Sequence, residues 1–276
     1  MILVTGASGN VGSELVTALA DAGEPVRALV RSAARDRFPA RAETVTGDLN
    51  DPASLRPALS GADGVFLLPG YADMAGVLAE ARGAGVRTVV QLSGMSAGSG
   101  DMSNAITAYM ARSERAARES GLAWTILRPA MFMSGALEWA PQLRAGGVVR
   151  DRFGHVQAAV IDPADIAAVA ALALTAPGHE ERVYELSGPE PLTPADRVAI
   201  LGQALGRDLR FQAQTDTEAR TEMSAAMPAQ YVDAFFDFYV TGSLDESKVL
   251  PTVRDLTGRP PRTFAQWADA HASSFR

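Results

Sequence analysis

Gly6, Gly9 and Gly12 recur every third residue directly behind the short apolar run Ile2–Val4, and Leu15, Val16, Leu19 and Ala20 follow on one helical face. A glycine at the first position permits a sharp turn out of a strand. One at the second lets the backbone approach a phosphate, and one at the third lets the following helix pack tightly on the strand. The backbone N–H groups from Ser8 through Asn10 to Val11 would then converge on an anion with help from the helix dipole. Strand, glycine turn and helix in that order make the first unit of a dinucleotide-binding fold. The spacing is G-x-x-G-x-x-G, not the standard G-x-G-x-x-G, so the reading rests on the strand before the motif and the second strand after the helix.

Arg31 stands at the end of that second strand, about 20 residues beyond the last glycine, where an acidic residue would bind the ribose diol of NAD. An arginine suits the 2′-phosphate of NADP, because its planar fork matches a phosphate and its charge is permanent. Arg35 is a second candidate contact, and a solvated surface arginine is the competing reading. NADP(H) is therefore expected over NAD(H). Asp48 and Leu49 follow the third strand, where this fold passes the adenine. A carboxylate there either accepts from the exocyclic amine or closes a turn. Leu67, Leu68 and Pro69 end the fourth strand, where apolar side chains would line the cofactor ribose.

Ser93 lies just past the fifth strand, with a hydroxyl that could bond a substrate carbonyl. Tyr109 sits on the next helix as a candidate proton donor. A tyrosine acid at neutral pH needs its pKa lowered, usually by a lysine, yet the residue four positions on is Ser113 and the nearest bases are Arg112 and Arg115. A packing or substrate-lining tyrosine is the stronger expectation.

These groups need a framework that brings strand ends together, and the sequence supplies one. Strands are predicted at Pro25–Val30, Glu43–Val45, Gly64–Leu68, Arg87–Leu92, Ala123–Leu127 and Val183–Leu186. They are separated by helices at Pro52–Leu59, Met74–Ala84, Ser103–Ser120 and Asp162–Leu174. Such alternation predicts a doubly wound parallel sheet with ligands at the carboxyl ends of its strands. The last third reads as helices near Pro194–Leu205, Thr217–Met227, Ala229–Tyr239 and Thr263–Ala272, with Phe235, Phe236, Phe238, Tyr239 and Trp267 as capping bulk.

The composition narrows the chemistry. The chain has 276 residues and 47% hydrophobic content, enough for a substantial core. A net charge of −7 without a basic run argues against nucleic-acid binding. No cysteine is present, which removes disulfides, thiolate catalysis and cysteine zinc sites. The three histidines, His155, His179 and His271, lie far apart, so no metal site is expected. With no visible leader and no spanning segment, a cytoplasmic protein without membrane partners is expected. A homodimer is left open.

Four stretches carry a family resemblance. The run Val4–Gly12, the run Ser120–Pro129 with Phe132 and Met133 behind it, and Ile161–Ala168 resemble the NmrA-like branch of atypical short-chain dehydrogenases/reductases. The ending Thr257–Phe264 is similar to its NAD(P)H:quinone oxidoreductase-like members. The resemblance implies a Rossmann-type α/β domain over residues 1–130, completed by 156–188. It also implies a small, mostly helical substrate lobe from 131–155 and 189–276, with a cleft between the two. It places Pro129 near the nicotinamide carboxamide and Phe132, Met133 and Trp139 on the substrate side, which suits an apolar or aromatic small molecule. The chain departs from the family where many relatives carry lysine or histidine near Tyr109 and Met110, ahead of a glutamate matching Glu114. The expected activity is NADPH-dependent hydride transfer to a quinone, enone or aromatic carbonyl compound. The alternatives are a non-catalytic NADP(H) redox sensor and a cofactor-retaining isomerase or epimerase.

Overall fold

The computed structural model describes residues 1–31 and 38–276. In chain order the elements of the first half are β1 (Ile2–Val4), α1 (Asn10–Asp21), β2 (Val26–Val30), β3 (Glu43–Thr46), α2 (Arg56–Leu59), β4 (Gly64–Leu67), α3 (Met74–Gly83), β5 (Thr88–Leu92), α4 (Ala105–Glu119) and β6 (Ala123–Pro129). The second half holds α5 (Ala140–Ala145), β7 (Val148–Asp151), α6 (Pro163–Thr175), β8 (Arg182–Leu186), α7 (Pro194–Leu205), β9 (Arg210–Ala213), α8 (Asp216–Ala226), α9 (Ala229–Phe236), α10 (Thr252–Thr257) and α11 (Phe264–Ala270).

Seven strands form one parallel sheet in the order β3-β2-β1-β4-β5-β6-β8. The strand order reverses between β1 and β4, so a crevice opens there at the carboxyl edge. All-parallel strands are buried on both faces, and two cores result. Val11, Leu15, Val16 and Leu19 of α1 pack with Ile166, Val169 and Ala170 of α6 on one face. Leu55, Val77, Leu78 and Ala117 pack on the other. The doubly wound Rossmann-type fold expected from the alternation is the fold observed.

A third core gathers Leu143, Val149, Val198, Leu201, Phe264, Trp267 and Phe275 beside the sheet's carboxyl edge. Around it β7 and β9 pair in parallel, a small sheet the sequence did not announce because each strand is only four residues long. Trp267 sits inside this core, while Phe236 joins a fourth cluster with Phe153, Met223 and Val232. The expected aromatic bulk therefore builds separate cores instead of lying on the sheet. Two stretches cross the expected boundary. Ala158 and Val160 pack in the third core, and Val253 of α10 packs with the sheet's helical layer.

Polar clamps fix these parts to each other. Asn104 caps α4 through its Oδ1, while its Nδ2 donates to the Ala234 carbonyl and to Asp237. Arg259 Nη1 donates to Asp165 at 2.6 Å, the Arg262 N–H donates to the same carboxylate at 2.7 Å, and the Arg262 guanidinium pairs with Asp162 at 3.0 Å. Two of the stretches that carried the resemblance, Ile161–Ala168 and Thr257–Phe264, thus meet at the start of α6.

Candidate functional site

The glycine turn is shaped by sterics. Gly6 takes φ +59°, and a Cβ there would collide with the Leu68 side chain. A Cβ on Gly12 would run into the Gly6 carbonyl, so the third glycine packs the helix against the turn itself and not against the strand. Thr5 ties the crevice walls together: its N–H donates to the Phe66 carbonyl, and its hydroxyl accepts from the Leu68 N–H at 3.2 Å. Side chains accept from first-turn N–H groups at α3, α4, α6, α7, α8 and α11, through Asp73, Asn104, Asp162, Thr193, Thr215 and Thr263. At α1 the cap is Gly9, which offers no side chain, and the first turn holds no acid. Its leading N–H groups, at Asn10 and Val11, keep their donors for a ligand. A cradle that a Cβ would fill, with unused donors and no carboxylate in the helix's first turn, fits a pyrophosphate.

The ends of β2, β3 and β4 adjoin this turn. Arg31 is exposed. Burial pushes the Tyr71 hydroxyl up, the Arg31 charge opposes this and the Asp48 charge adds to it, which brings all three groups into one neighbourhood. Tyr71 was not singled out from sequence, since nothing in its spacing marks it. Arg35 lies outside the described residues. Asp48 Oδ1 accepts from the Asn50 N–H at 2.9 Å and from Asn50 Nδ2 at 3.1 Å, so the carboxylate closes a turn. The Leu49 and Leu67 side chains pack in the core with Leu3 and Leu55. Successive strand side chains alternate faces, and Leu68, the next residue, is the one that covers Gly6.

Ser93 is buried, and its hydroxyl donates to Glu114 at 2.7 Å. Arg128 forks onto the same carboxylate, Nε to Oε1 and Nη2 to Oε2, both at 2.8 Å. Burial raises the Glu114 carboxyl, but the hydrogen bonds from Arg128 and Ser93 and the charges of Arg128 and Arg118 outweigh it, leaving it below the usual range. The Ser93 proton is therefore committed, which corrects its expected role as a donor to a substrate carbonyl. Pro129 closes β6, buried and opposite Leu186. On α4, burial and the neighbouring Tyr231 push the Tyr109 hydroxyl above its ordinary value, the opposite of what an activated acid needs. Ser113, where a lysine would have stood, accepts from the Gly70 N–H at 3.0 Å and donates to the Tyr109 carbonyl at 2.9 Å. It ties helix to loop and supplies no charge. Pro69, Gly70, Ile106, Tyr109, Tyr231 and Phe235 line a shallow pocket of about 390 Å³.

A larger cavity, about 740 Å³, begins at Asn10 of the glycine turn and runs under the smaller sheet. Phe132, Trp139, Phe153, Phe235 and Tyr239 make its aromatic wall, and Phe235 borders both cavities. The α-helix expected to reach Tyr239 ends at Phe236. It continues as a π turn, Asp237–Thr241, which carries Tyr239 to the cavity. Met133 is a correction: it is fully buried in the third core and does not line the cavity, because in the three-residue repeat of the turn at Met133–Trp139 it shares the inward face with Ala136. Polar groups in the wall escaped the sequence reading, since Asp151 and Arg152 at the end of β7 meet Arg197 of α7 only in the folded chain. Among the described residues, no group of three or more His, Cys, Asp or Glu is placed to hold a metal. No helix there is long and apolar enough to cross a membrane.

Comparison with known proteins bears on this geometry. Residues 6–177 match a family described as NAD(P)H-binding. Over its whole length the chain is 45% identical to a (4-alkanoyl-5-oxo-2,5-dihydrofuran-3-yl)methyl phosphate reductase from Streptomyces griseus, covering 99% of that protein. It is 40% identical to an NAD(P)H azoreductase from Xenophilus azovorans, again over 100% of this chain and 99% of the relative. Among solved structures, an NADPH-dependent quinone oxidoreductase from Escherichia coli in complex with NADPH superposes with a TM-score of 0.79 at 26% identity. That match covers 99% of this chain and 100% of the other.

Proposed function

The chain belongs to the NAD(P)H-binding family and is an NAD(P)H-dependent oxidoreductase, and on that premise we propose that it uses NADPH to reduce an electron-poor conjugated small molecule such as an enone, a quinone or an aromatic carbonyl compound. The observation that carries this reading is the single cavity joining the start of α1 to an aromatic wall. The names of the relatives, a dihydrofuranone phosphate reductase, an azoreductase and a quinone oxidoreductase, share an acceptor in which hydride adds to a polarised π system. That shared chemistry supports the reading.

In this reading the N–H groups of Ser8, Asn10 and Val11 hold the cofactor pyrophosphate, Arg31 takes the ribose 2′-phosphate, and Leu68 and Pro69 flank the ribose beyond it. Tyr71 and the backbone of Asp48 and Leu49 border the adenine side, and Pro129 marks the nicotinamide end. The bound dinucleotide supplies the hydride. Phe132, Trp139 and Phe235 orient a flat acceptor and exclude water from it. With Ser93 committed to Glu114 and no base beside Tyr109 among the described residues, the proton comes from water, from which a delocalised enolate or hydroquinone anion can take it without a built-in acid. Catalysis is then mostly positioning. The reductase relatives favour this over the sensor and isomerase alternatives. The division into 1–130 with 156–188, and 131–155 with 189–276, is carried forward with α10 assigned to the sheet side.

The test is steady-state NADPH consumption with a panel of quinones, conjugated lactones and azo compounds, beside equilibrium titration of NADPH and NADH. Turnover with at least one class and tighter NADPH binding are expected. Tight binding without oxidation across the panel would sink the reading.

A further inference from the structure

Arg197 is 6% exposed, yet among the described residues its side chain makes no hydrogen bond and no ion pair. Its guanidinium lies over the Trp139 ring, 5.4 Å from the centroid, and lines the large cavity. Burial of that kind opposes the charge, and a buried cation ordinarily has a carboxylate forked onto it. Every candidate partner nearby is engaged elsewhere. Asp151 accepts from Trp139 Nε1 through Oδ2 at 2.7 Å and from the Arg152 N–H through Oδ1 at 2.8 Å. Glu246 accepts the Tyr239 hydroxyl at 2.9 Å. Arg152, also in the cavity wall, reaches Glu138 at 3.3 Å and Asp151 at 3.8 Å and is part-exposed.

We propose that this end of the cavity is an anion subsite, in which the Arg197 guanidinium, assisted by Arg152, receives a phosphate, sulfonate or carboxylate carried by the acceptor. The proposal rests on the reductase reading and deepens it: the substrate is a conjugated compound with an anionic arm. The aromatic wall holds its flat part, and Arg197 fixes which end points away from the glycine turn. An unpaired guanidinium in a mostly apolar wall also discriminates against neutral acceptors, which would leave it buried without a partner.

The test uses the enzyme–NADP⁺ complex, in which no hydride is available, titrated with 1,4-naphthoquinone-2-sulfonate and with its neutral counterpart 2-methyl-1,4-naphthoquinone. The sulfonate binds more tightly to the wild type. Arg197→Met weakens the sulfonate about 10- to 100-fold more than the methyl compound, the size expected for charge-assisted hydrogen bonds, and Arg197→Lys restores part of the difference. Equal weakening of both quinones overturns the proposal. So does a comparable loss in an NADPH titration of the variant, which would assign the guanidinium to a cofactor phosphate. Should the variant not fold, the wild type alone decides. With NADP⁺ saturating and ionic strength held constant, inorganic phosphate displaces the sulfonate and spares the methyl compound, and displacement of both or neither overturns the subsite. Failure of the reductase reading would look different, because it would abolish turnover without touching this binding preference.

Discussion

Arg128 at the end of β6 and Arg197 in α7 both bring a guanidinium into the interior beside the cleft, and they are completed in opposite ways. Arg128 has a bidentate partner in Glu114, which also holds Ser93. That region is self-satisfied: each charge has its counterpart within the protein, and the pair joins α4 to the sheet. Arg197 faces an open cavity with every neighbouring carboxylate already engaged. A buried ion pair whose members satisfy each other is architecture, whereas a buried cation left open toward a cavity is an invitation to a ligand.

The largest effect should come from breaking the closed pair. Glu114→Gln leaves Arg128 with only the half-exposed Glu185, 3.9 Å away, and should lower the unfolding free energy by about 3 kcal/mol, read by urea denaturation. Arg197→Met removes a charge that has no hydrogen bond or ion pair among the described residues, and the methionine can still cover the Trp139 ring, so its unfolding free energy should stay within about 1 kcal/mol of the wild type. Similar losses in both variants would erase the contrast. The pH dependence sharpens it further. Because Glu114 is held below its unfolded-state value, its contribution is complete above the ordinary carboxylate range and is lost as pH falls through the folded value. Acid titration of stability should therefore be shallower in Glu114→Gln than in the wild type.

Between these extremes lies Arg31. Arg31→Glu should cost NADPH binding roughly 1.5–3 kcal/mol while leaving NADH much less affected, as measured by paired titrations. Equal losses for the two dinucleotides would remove the 2′-phosphate assignment. The smallest effect is expected at Tyr109. Tyr109→Phe should leave turnover nearly intact, whereas a loss of about 10²-fold or more would make it a general acid after all.

The glycine turn was legible in the sequence, and the large cavity was not. The turn is made of backbone, so its signature is local: glycines at fixed offsets between a strand and a helix. The sheet was equally legible, because its central strands are short runs rich in Val, Leu and Ile that alternate with helical patterns. The acceptor cavity is made of side chains from Phe132, Trp139, Asp151, Arg197 and Tyr239, joined only by the tertiary fold. Nothing local in α7 marks Arg197, which looks like an ordinary helical arginine until Trp139 is placed beneath it. The same limit applies to single side chains. Whether Leu67 or Leu68 meets the crevice depends on strand register, and whether Ser93 is available depends on Glu114 arriving from the next helix.

The central claim is that the cradle at α1 and the aromatic cavity work together as one reductive site. Its most direct measurement is the initial rate of NADPH oxidation by the wild-type enzyme with 1,4-naphthoquinone-2-sulfonate as acceptor, followed as both concentrations vary. The account predicts saturation in both, with one NADPH consumed per quinone reduced. Saturable coenzyme uptake with no acceptor-dependent oxidation, here and with conjugated lactones and azo compounds, would contradict it.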